Sequence, residues 1–363
     1  MKITNASVFS ISVPKKSAFA VAYAVRVAAE SLIVKLETDT GLIGFGEAVP
    51  VKEVTGEDKN QVYIKLKEFC SLLKGCDLKE HPAIMMKAES FLKDMPSACS
   101  ALDSAFWDLT GQTQNKPLYQ IWGGAKEYCL ASQSLGILSL EETLSETKKY
   151  VEQGITHLKY KIGLDKEADL KRIKQVRDQF PNITIYLDAN QGYSVHEAMF
   201  VTESLADYKI EFMEQPVAKE DLKGLITVAR HSPFAIVADE AIQGMESLDK
   251  LLALGTIPMI NIKLMKCGGP SKALKMIQKA NEYNIKCMIG CMIETRLGIT
   301  TGLHVAQASN NVYYIDLDGC WDLAFDIVKK DGANLHDGKE FVSLAPGLGV
   351  CIDEELLRKF SDK

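Results

Sequence analysis

The amino-acid sequence predicts an α/β fold: a (β/α)8-type barrel with an α+β domain before it and a short segment after it. Across residues 121–320, eight short apolar strands alternate with amphipathic helical patterns, which is the rhythm of parallel strands joined by helices. Residues 1–120 lack this rhythm, and the turn-rich stretch Asn115–Lys126 marks the junction. A doubly wound open sheet is the alternative, but eight regular units favour closure. Residues 321–363 break the rhythm again, and we expect them to pack back on the N-terminal domain.

The N-terminal domain is predicted to be a three-stranded meander followed by helices. The stretch SLIVKLET alternates at period two, as a half-buried strand does. Asp39-Thr40-Gly41 forms a turn, and the glycines of GLIGFGEAVP are hairpin glycines, because no helix follows them as a dinucleotide-binding loop requires. The expected strands are Lys2–Val13, Ser31–Glu37 and Ile43–Glu47, and the expected helices are 57–74, 81–93 and 97–113.

Polar residues at the ends of the barrel strands are the candidate functional residues, because barrel active sites lie there. Five consecutive strands, from the second to the sixth, end in Lys161, Asp188, Glu214, Asp239 and Lys263, each one βα unit after the last. This spacing predicts that the five side chains meet at one rim. The strands are expected near 129–135, 156–162, 183–188, 210–215, 235–239, 258–263, 286–290 and 312–316, with helical patterns such as Asp165–Gln179 and Gly269–Tyr283 between them.

Composition argues against several classes of function. The chain has 363 residues and a formal net charge of −6, whereas nucleic-acid-binding proteins usually carry a basic footprint. No apolar run approaches the roughly 20 residues of a membrane-spanning helix, and the N-terminus lacks the apolar core and cleavage site of a signal peptide. The nine cysteines are scattered and form no CxxC pair, so we expect free thiols in a reducing cytoplasm.

The three carboxylates of this set, Asp188, Glu214 and Asp239, predict a divalent cation. Acidic groups that converge on one rim repel one another unless a positive charge lies between them. Mg²⁺ is the simplest solution, because it suits a few carboxylates together with waters and substrate oxygens. A single aspartate at a strand end would more often cap a helix, but three acids at unit spacing between two lysines favour the metal.

The two lysines that flank the carboxylates, Lys161 and Lys263, are predicted to act as an acid/base pair. Lys159 and Lys161 are two residues apart on one strand and so point to the same face. A solvated face is the ordinary explanation, but unpaired lysines inside a barrel are costly. A neighbouring ammonium and a metal would each disfavour a charged Lys161, as a base at neutral pH requires. Lys266 is expected at the surface or in a loop.

The predicted reaction is a proton transfer at the carbon next to a carboxylate. A carboxylate bound to Mg²⁺ has a more acidic α-proton, because the metal stabilises the enediolate. Two bases on opposite faces permit removal of the proton from one side and its return on the other, which is a 1,1-proton transfer, or epimerisation.

These residues resemble the enolase superfamily, in its muconate-lactonizing subgroup, and the resemblance covers nearly the whole chain. It implies a capping domain whose loops close the barrel mouth, Mg²⁺ on the three carboxylates, the two flanking lysines as bases, and Lys159 as a residue that helps neutralise the substrate carboxylate. The subgroup is often oligomeric, so we expect a homo-oligomer. The motifs are Lys159-Tyr160-Lys161, Asp188-Ala189-Asn190-Gln191-Gly192, Glu214-Gln215-Pro216, Asp239-Glu240 and Asn261-Ile262-Lys263-Leu264-Met265-Lys266.

Asp316-Leu317-Asp318, at the end of the eighth strand, looks like the element with which the dipeptide epimerases of this family hold a substrate α-ammonium group. Two carboxylates on one side suit a cation, although a helix-capping turn is the ordinary explanation of such a sequence. The stretch Met292–Gly298 also resembles the family, and we expect Arg296, which it contains, to contact the substrate.

The apolar capping loop AFAVAYAV indicates which side chain the substrate carries. Aligned from Phe19 to Glu30, Ala24 stands where the alanine–glutamate epimerases of the family have an arginine, and Arg26 lies two residues on. We expect Phe19, Ala24 and Arg26 to contact a hydrophobic side chain rather than that of glutamate. Tyr193 stands where the family often has tryptophan, a mild change near the mouth.

The sequence therefore predicts a Mg²⁺-dependent epimerase that inverts the C-terminal residue of an L,L-dipeptide. o-Succinylbenzoate synthase, N-acylamino-acid racemase and muconate cycloisomerase are the related alternatives, but their substrates lack the free ammonium that Asp316 and Asp318 would hold. A Schiff-base lyase with a lysine at the mouth would need no metal. A barrel that only binds ligands would need neither both lysines nor all three carboxylates.

Overall fold

The N-terminal part is a three-stranded antiparallel sheet covered by helices. The computed structural model describes residues 1–22 and 24–361. The elements are β1 (Ile3–Val21), β2 (Ala24–Thr38), β3 (Ile43–Ala48), α1 (Lys52–Thr55), α2 (Lys59–Ser71), α3 (His81–Phe91), α4 (Pro96–Gln114) and α5 (Leu118–Ile121), with a 3-10 turn at Leu78–Glu80. The strands pair in the order β1-β2-β3. Helix α4 packs so closely on β3 that a Cβ at Gly46 would lie 2.0 Å from the Ala101 carbonyl oxygen.

The first two strands are longer than the sequence predicts, and the expected capping loop is the end of a hairpin. Its last pairs are Phe19 with Arg26, Ala20 with Val25 and Val21 with Ala24; Tyr23 of this loop lies outside the described residues. The prediction was wrong because Pro14 interrupts the alternation. The ladder absorbs that proline, which cannot donate a hydrogen bond, by a register shift between Pro14 and Phe19. The hairpin end docks on the barrel, where Ile137 N donates to the Ala20 carbonyl oxygen at 2.9 Å.

The central part is an eight-stranded parallel sheet, β5 to β12, in chain order, which confirms the predicted (β/α)8-type architecture. The elements are β4 (Cys129–Leu130), β5 (Ser132–Leu135), α6 (Leu140–Glu152), β6 (His157–Lys161), α7 (Lys166–Gln179), β7 (Thr184–Asp188), α8 (Val195–Ser204), β8 (Ile210–Glu214), α9 (Leu222–His231), β9 (Ala235–Ala238), α10 (Met245–Leu254), β10 (Met259–Lys263), α11 (Leu264–Cys267), α12 (Pro270–Glu282), β11 (Lys286–Gly290), α13 (Arg296–Gln307) and β12 (Val312–Asp316), with a 3-10 turn at Ala206–Tyr208.

Side chains of β5 join the first and last strands of this sheet. Ser132 Oγ donates to the Ile315 carbonyl oxygen at 2.7 Å, and Ser134 Oγ donates to Asp316 Oδ1 at 3.0 Å. The strand predicted near 129–135 is divided into β4 and β5, because Ala131 N donates to the Gly338 carbonyl oxygen at 2.9 Å instead of continuing the barrel ladder. The two ends of the sheet are therefore held together at the mouth by polar side chains.

The C-terminal segment packs on both of the preceding parts. It contains β13 (Val328–Asp331), β14 (Ala333–His336), β15 (Lys339–Val342), β16 (Val350–Ile352) and α14 (Glu354–Lys359). Strand β15 pairs with β4 beside the barrel. Isolated bridges join Ser361 to Ile11 and Leu323 to Lys15. Lys35 Nζ, on the N-terminal sheet, lies 3.0 Å from Glu354 Oε2 of α14.

A buried carboxylate fixes the N-terminal sheet over the barrel. Glu47, on β3, is 1% exposed and accepts hydrogen bonds from Thr295 N (2.9 Å), Thr295 Oγ1 (2.6 Å) and Gly298 N (2.8 Å). These donors belong to the N-terminus of α13, whose first N–H groups have no partner within the helix. One apolar core runs through both parts, from Ile11 and Ile33 to the barrel residues. No helix among the described residues is long and apolar enough to span a membrane.

His304 joins α13 to two other segments and predicts an acid-sensitive fold. Nδ1 accepts from Tyr119 N at 3.3 Å, and Nε2 donates to the Leu348 carbonyl oxygen at 3.2 Å. Burial lowers the pKa of this imidazole from 6.5 to about 4. Unfolded chains therefore bind a proton that the folded protein excludes, and stability is lost as the pH falls from about 6.5 to about 4.

Between these pH values, we expect the unfolding free energy of His304→Gln to fall less than that of the wild type. The difference between the two losses should be on the order of 3 kcal/mol. Urea unfolding of both proteins across the interval measures the difference. A variant whose pH dependence parallels that of the wild type would show that His304 is not the group responsible.

Candidate active site

The strand ends bring together the five polar residues that the spacing singles out. Lys161, Asp188 and Glu214 are consecutive partners in the parallel ladder of β6, β7 and β8. Asp239 follows β9 directly, and Lys263 is the last residue of β10. All five are at most 8% exposed, so the sequence spacing corresponds to one buried cluster at the carboxyl end of the sheet.

Lysine side chains neutralise the carboxylates of this cluster. Lys161 Nζ lies 2.5 Å from Asp188 Oδ2, and Lys263 Nζ lies 2.7 Å from Asp239 Oδ2. Lys159 is completely buried, and its Nζ lies 2.9 Å from Asp188, 2.6 Å from Glu214 and 2.7 Å from Asp316. Burial works to lower the pKa of Lys159, but these carboxylates outweigh it and hold the pKa well above its ordinary value.

Lys161 and Lys263 face the same cavity from opposite walls. In the strand order of the sheet, β6 and β10 are separated by three strands, which places them across an eight-stranded ring from each other. Both lysines line a cavity of about 760 Å³ between the barrel mouth and the N-terminal sheet. A molecule of dipeptide size can therefore have one amine on each side of it.

The donor set fits Mg²⁺, which prefers oxygen ligands. Asp188, Glu214 and Asp239 supply carboxylate oxygens from three adjacent strand ends and would be the residues that hold the ion. Glu214 is the least compensated of them. Burial raises its pKa to about 8, and its Oε2 accepts no hydrogen bond although Lys159 Nζ is 2.6 Å away. Asn261 Nδ2 donates to the other oxygen, Oε1, at 2.6 Å.

The expectation that Lys266 lies at the surface was wrong. Lys266 is 2% exposed, and its ammonium donates to Asp239 Oδ1 and to the Asp239 carbonyl oxygen. The short helix α11 begins directly after β10, so the chain turns inward there instead of entering a loop. Asp239 therefore lies between Lys263 and Lys266.

The two acids at the end of β12 lie at the same mouth and line the cavity. Asp316 contacts Lys159, and it also accepts from Ser134 Oγ at 3.0 Å. Asp318 Oδ2 accepts from Ser134 N at 2.6 Å and from Gln133 Nε2 at 3.0 Å. Burial and the neighbouring Asp316 raise the pKa of Asp318 to about 6.

Several residues of the site were missed from the sequence. Asn190 Nδ2 donates to Glu240 Oε1 at 3.1 Å, and Glu240 Oε2 is buried without a hydrogen bond. Glu240 and Asn261 belong to the motifs quoted above, so their position beside the candidate ligands was an available signal. Gln133 and Ser134 carried no such signal, because their role depends on the contact between the first and last barrel strands.

The residues expected to contact the substrate side chain divide into two groups. Phe19 and Arg26 line the cavity, and Arg26 pairs with Glu53 at 2.5 Å. Ala24 lies beyond the lining, at the hairpin end. Arg296 also lies outside the cavity, because its guanidinium donates to the Val328 carbonyl oxygen and its backbone N donates to Asp326 at 2.8 Å. Its contacts are thus with the C-terminal segment.

Opposed lysines around buried carboxylates in a (β/α)8-type barrel suit an enzyme that transfers protons. Two protein families match the chain. One is the mandelate racemase / muconate lactonizing enzyme N-terminal domain over residues 3–123, and the other is the enolase C-terminal domain-like family over residues 142–356. The chain belongs to the enolase superfamily, in its mandelate racemase / muconate lactonizing enzyme group.

An epimerase and a racemase are among the relatives of this chain. The chain is 36% identical over 357 residues to the hydrophobic dipeptide epimerase of Enterococcus faecalis, covering 96% of this chain and 99% of that protein. It is 31% identical over 367 residues to the N-succinyl-L-Arg/Lys racemase of Bacillus cereus, covering 99% of this chain and 98% of that protein. The crystal structure of the dipeptide epimerase from E. faecalis V583, complexed with Mg and L-Leu-L-Tyr, matches this fold with a TM-score of 0.93. The two sequences are 35% identical, and the match covers 96% of this chain and 99% of that chain.

Proposed function

We propose that this protein is a Mg²⁺-dependent dipeptide epimerase that inverts the α-carbon of the C-terminal residue of an L,L-dipeptide. The observation that carries the proposal is the arrangement of Lys161 and Lys263 on opposite walls of one cavity, each beside a candidate metal ligand. When bound, Mg²⁺ would draw electron density from the substrate carboxylate and make the α-proton more acidic.

In this proposal the two lysines divide the proton transfer between them. Lys161 acts as the base on one face of the α-carbon, and Lys263 returns a proton to the other face; the roles reverse for the other epimer. Lys159 places a permanent positive charge beside Asp188 and Glu214 and so helps to neutralise the substrate carboxylate. Asp316 and Asp318, at the far end of the cluster, receive the substrate ammonium group.

The cavity wall supports a hydrophobic side chain on the substrate. Its lining includes Phe19, Val21, Val49, Val51 and Ile293. The charged groups at the rim are largely engaged with one another, as in the pairs Arg26–Glu53 and Lys15–Asp322. Burial of an apolar side chain against this wall is favourable at roughly 25 cal/mol per Å², whereas a carboxylate against the same apolar side chains would lose solvation.

We expect a dipeptide library in D₂O with Mg²⁺ to show deuterium at the C-terminal α-carbon, fastest for dipeptides whose C-terminal residue is hydrophobic. Discrimination by an apolar pocket is worth roughly 1–3 kcal/mol, or about 10- to 200-fold in rate. Mass spectrometry reads the incorporated deuterium, and chiral chromatography reads the inversion. Preferred turnover of L-Ala-L-Glu would overturn the side-chain assignment while leaving the reaction in place.

N-acylamino-acid racemisation is the second candidate, because an N-succinyl amino acid racemase is among the relatives. Such a substrate has no ammonium group for Asp316 and Asp318. The same screen should therefore include N-succinyl and N-acetyl amino acids, which we expect to exchange at least about tenfold more slowly than dipeptides. Retention of activity in EDTA with borohydride trapping would indicate Schiff-base chemistry, and no exchange with any compound would indicate a non-catalytic barrel.

Two further expectations belong to the proposal. A cytoplasmic location is supported by the nine cysteines, which are all free thiols, as reducing conditions favour. A homo-oligomer is expected from the resemblance to the subgroup, and light scattering after gel filtration measures it directly.

A further inference from the structure

Arg172, on α7, reaches the end of the strand that carries Lys161. Its side chain is 5% exposed, and Nη2 donates to the Lys161 carbonyl oxygen at 2.6 Å. The same guanidinium donates through Nη1 to the Leu138 carbonyl oxygen at 3.0 Å. Because Lys161 is the last residue of β6, this side chain fixes the backbone at the point where the strand ladder stops.

Asp169, one helical turn before Arg172, holds the guanidinium and connects it to two loops. Its Oδ1 accepts from Arg172 Nη2 at 2.8 Å. Its Oδ2 accepts from Gly163 N at 2.8 Å and from the Tyr193 hydroxyl at 2.7 Å. Gly163 and Tyr193 lie in the loops after β6 and β7, so one buried ion pair holds both loops against α7.

These two loops are in direct backbone contact, which transmits any shift between them. A Cβ on Gly163 would lie 2.5 Å from the Ala189 carbonyl oxygen, and one on Gly192 would lie 2.3 Å from the Gly163 carbonyl oxygen. Only glycine permits this approach, and Gly163 also has a φ of 108°. Movement at Gly163 therefore displaces the end of β6 together with the loop beside it.

The second carbonyl held by Arg172 belongs to the loop on which the N-terminal hairpin docks. Leu138 lines the cavity, and the residue before it, Ile137, donates its N–H to the Ala20 carbonyl oxygen at 2.9 Å. The guanidinium thus lies between the end of β6 and the contact that holds the hairpin over the mouth.

A guanidinium in this position is costly, since burying a charge requires full compensation. Arg172 Nε is buried without a hydrogen bond, so the compensation is incomplete. The three bonds that it does make all go to Asp169 or to backbone at the mouth. All of these contacts lie on the side of the mouth that carries Lys161, as expected of a residue that positions Lys161.

We propose that Arg172 is a positioning residue for Lys161 and controls the half of the reaction in which Lys161 moves the proton. The inference rests on the proposed function, because it needs two bases that act on opposite faces of one carbon. Lys263 lies on the opposite wall and contacts Asp239, so a defect at Arg172 acts mainly on the half of the reaction in which Lys161 moves the proton. A residue that only stabilised the fold would affect both halves alike.

The test is Arg172→Lys, which keeps the positive charge but lacks the planar fork that reaches Asp169 and two carbonyls at once. In D₂O, the α-proton of the epimer that Lys161 deprotonates is expected to exchange about 10- to 100-fold more slowly, because a misplacement of ~1 Å can cost about a hundredfold. Exchange of the other epimer should change less than about twofold. Lys161→Ala and Lys263→Ala assign each epimer to its base.

Arg177→Lys is the matched control. Arg177 lies on the same helix, and its guanidinium also binds carbonyl oxygens, those of Tyr208 at 2.9 Å and Ile183 at 2.8 Å. These carbonyls precede β7 and β8 and so lie at the opposite end of the barrel from the mouth. We expect this variant to exchange both epimers at rates within about twofold of the wild type.

Equal slowing of both epimers in Arg172→Lys, or no slowing, would overturn the inference. Circular dichroism checks that the variants are folded. Should Arg172→Lys not fold, Asp169→Asn weakens the hold on the same guanidinium with an isosteric side chain and must produce the same asymmetry. Absence of exchange in the wild-type protein with every dipeptide would overturn the proposed function instead, so the two failures are distinguishable.

Discussion

Alanine in place of Lys161 or Lys263 is expected to reduce epimerisation by at least about a thousandfold. Each variant lacks the amine on one wall of the cavity, so a proton removed from the remaining side cannot be replaced from the other. The remaining lysine can still exchange the α-proton of the epimer that faces it. Proton NMR in D₂O, started separately from each epimer, should therefore show exchange of one epimer in Lys161→Ala and of the opposite epimer in Lys263→Ala.

Lys166→Ala is the control for this pair. Lys166 begins α7, a few residues after Lys161, and its Nζ lies 3.5 Å from Glu197 at the surface. We expect its rate to remain within about twofold of the wild type. Near-normal epimerisation in either of the two base variants would show that one lysine suffices. Exchange of the same epimer in both variants would show that the lysines do not act from opposite faces.

The barrel and its rim could be predicted because both depend on regular spacing along the chain. One βα unit separates Lys161 from Asp188 and Asp188 from Glu214, and the parallel ladder places these residues side by side. The resemblance to the superfamily has the same origin, since its motifs lie at strand ends. Local spacing is thus sufficient where the fold repeats.

Contacts between distant segments could not be predicted in this way. Ser134 reaches Asp316 and Asp318 only because the first and last strands of the sheet meet. Glu47 reaches the N-terminus of α13 only because the N-terminal sheet folds over the barrel. Lys266 was misplaced for a related reason, as nothing in its immediate sequence indicates that the chain turns inward after β10.

The substrate side chain is the part of the function that the sequence determines least. Ala24 lies at a hairpin end beyond the cavity lining, and Phe19, Ala20 and Val21 are paired strand rather than loop. Phe19 and Arg26 are opposite each other in that ladder and both line the cavity. A change at Ala24 would therefore act on the substrate through the hairpin, whereas changes at Phe19 act on the wall directly.

Removal of the metal is expected to have an effect as large as removal of a base. EDTA should abolish exchange and epimerisation together, and excess Mg²⁺ should restore both, because the α-proton of an uncomplexed carboxylate is too weakly acidic for an amine to remove. Glu214→Gln is the sharper test, since it removes one charge without changing shape. Asn261 Nδ2 can still donate to the amide oxygen as it does to Glu214 Oε1, so the variant should fold.

For Glu214→Gln we expect Mg²⁺ affinity to fall at least about tenfold and epimerisation at least about a hundredfold. Binding is read without turnover, from the rise in unfolding temperature with Mg²⁺, since a ligand that binds only the folded state stabilises it by mass action. Glu340→Gln is the matched control, because Glu340 is an equally buried carboxylate on β15 that would not hold the ion. If Glu214→Gln kept the wild-type Mg²⁺ response while Glu340→Gln lost it, the three strand-end carboxylates would not be the metal site. The charge of Lys159 beside them would then serve the substrate alone.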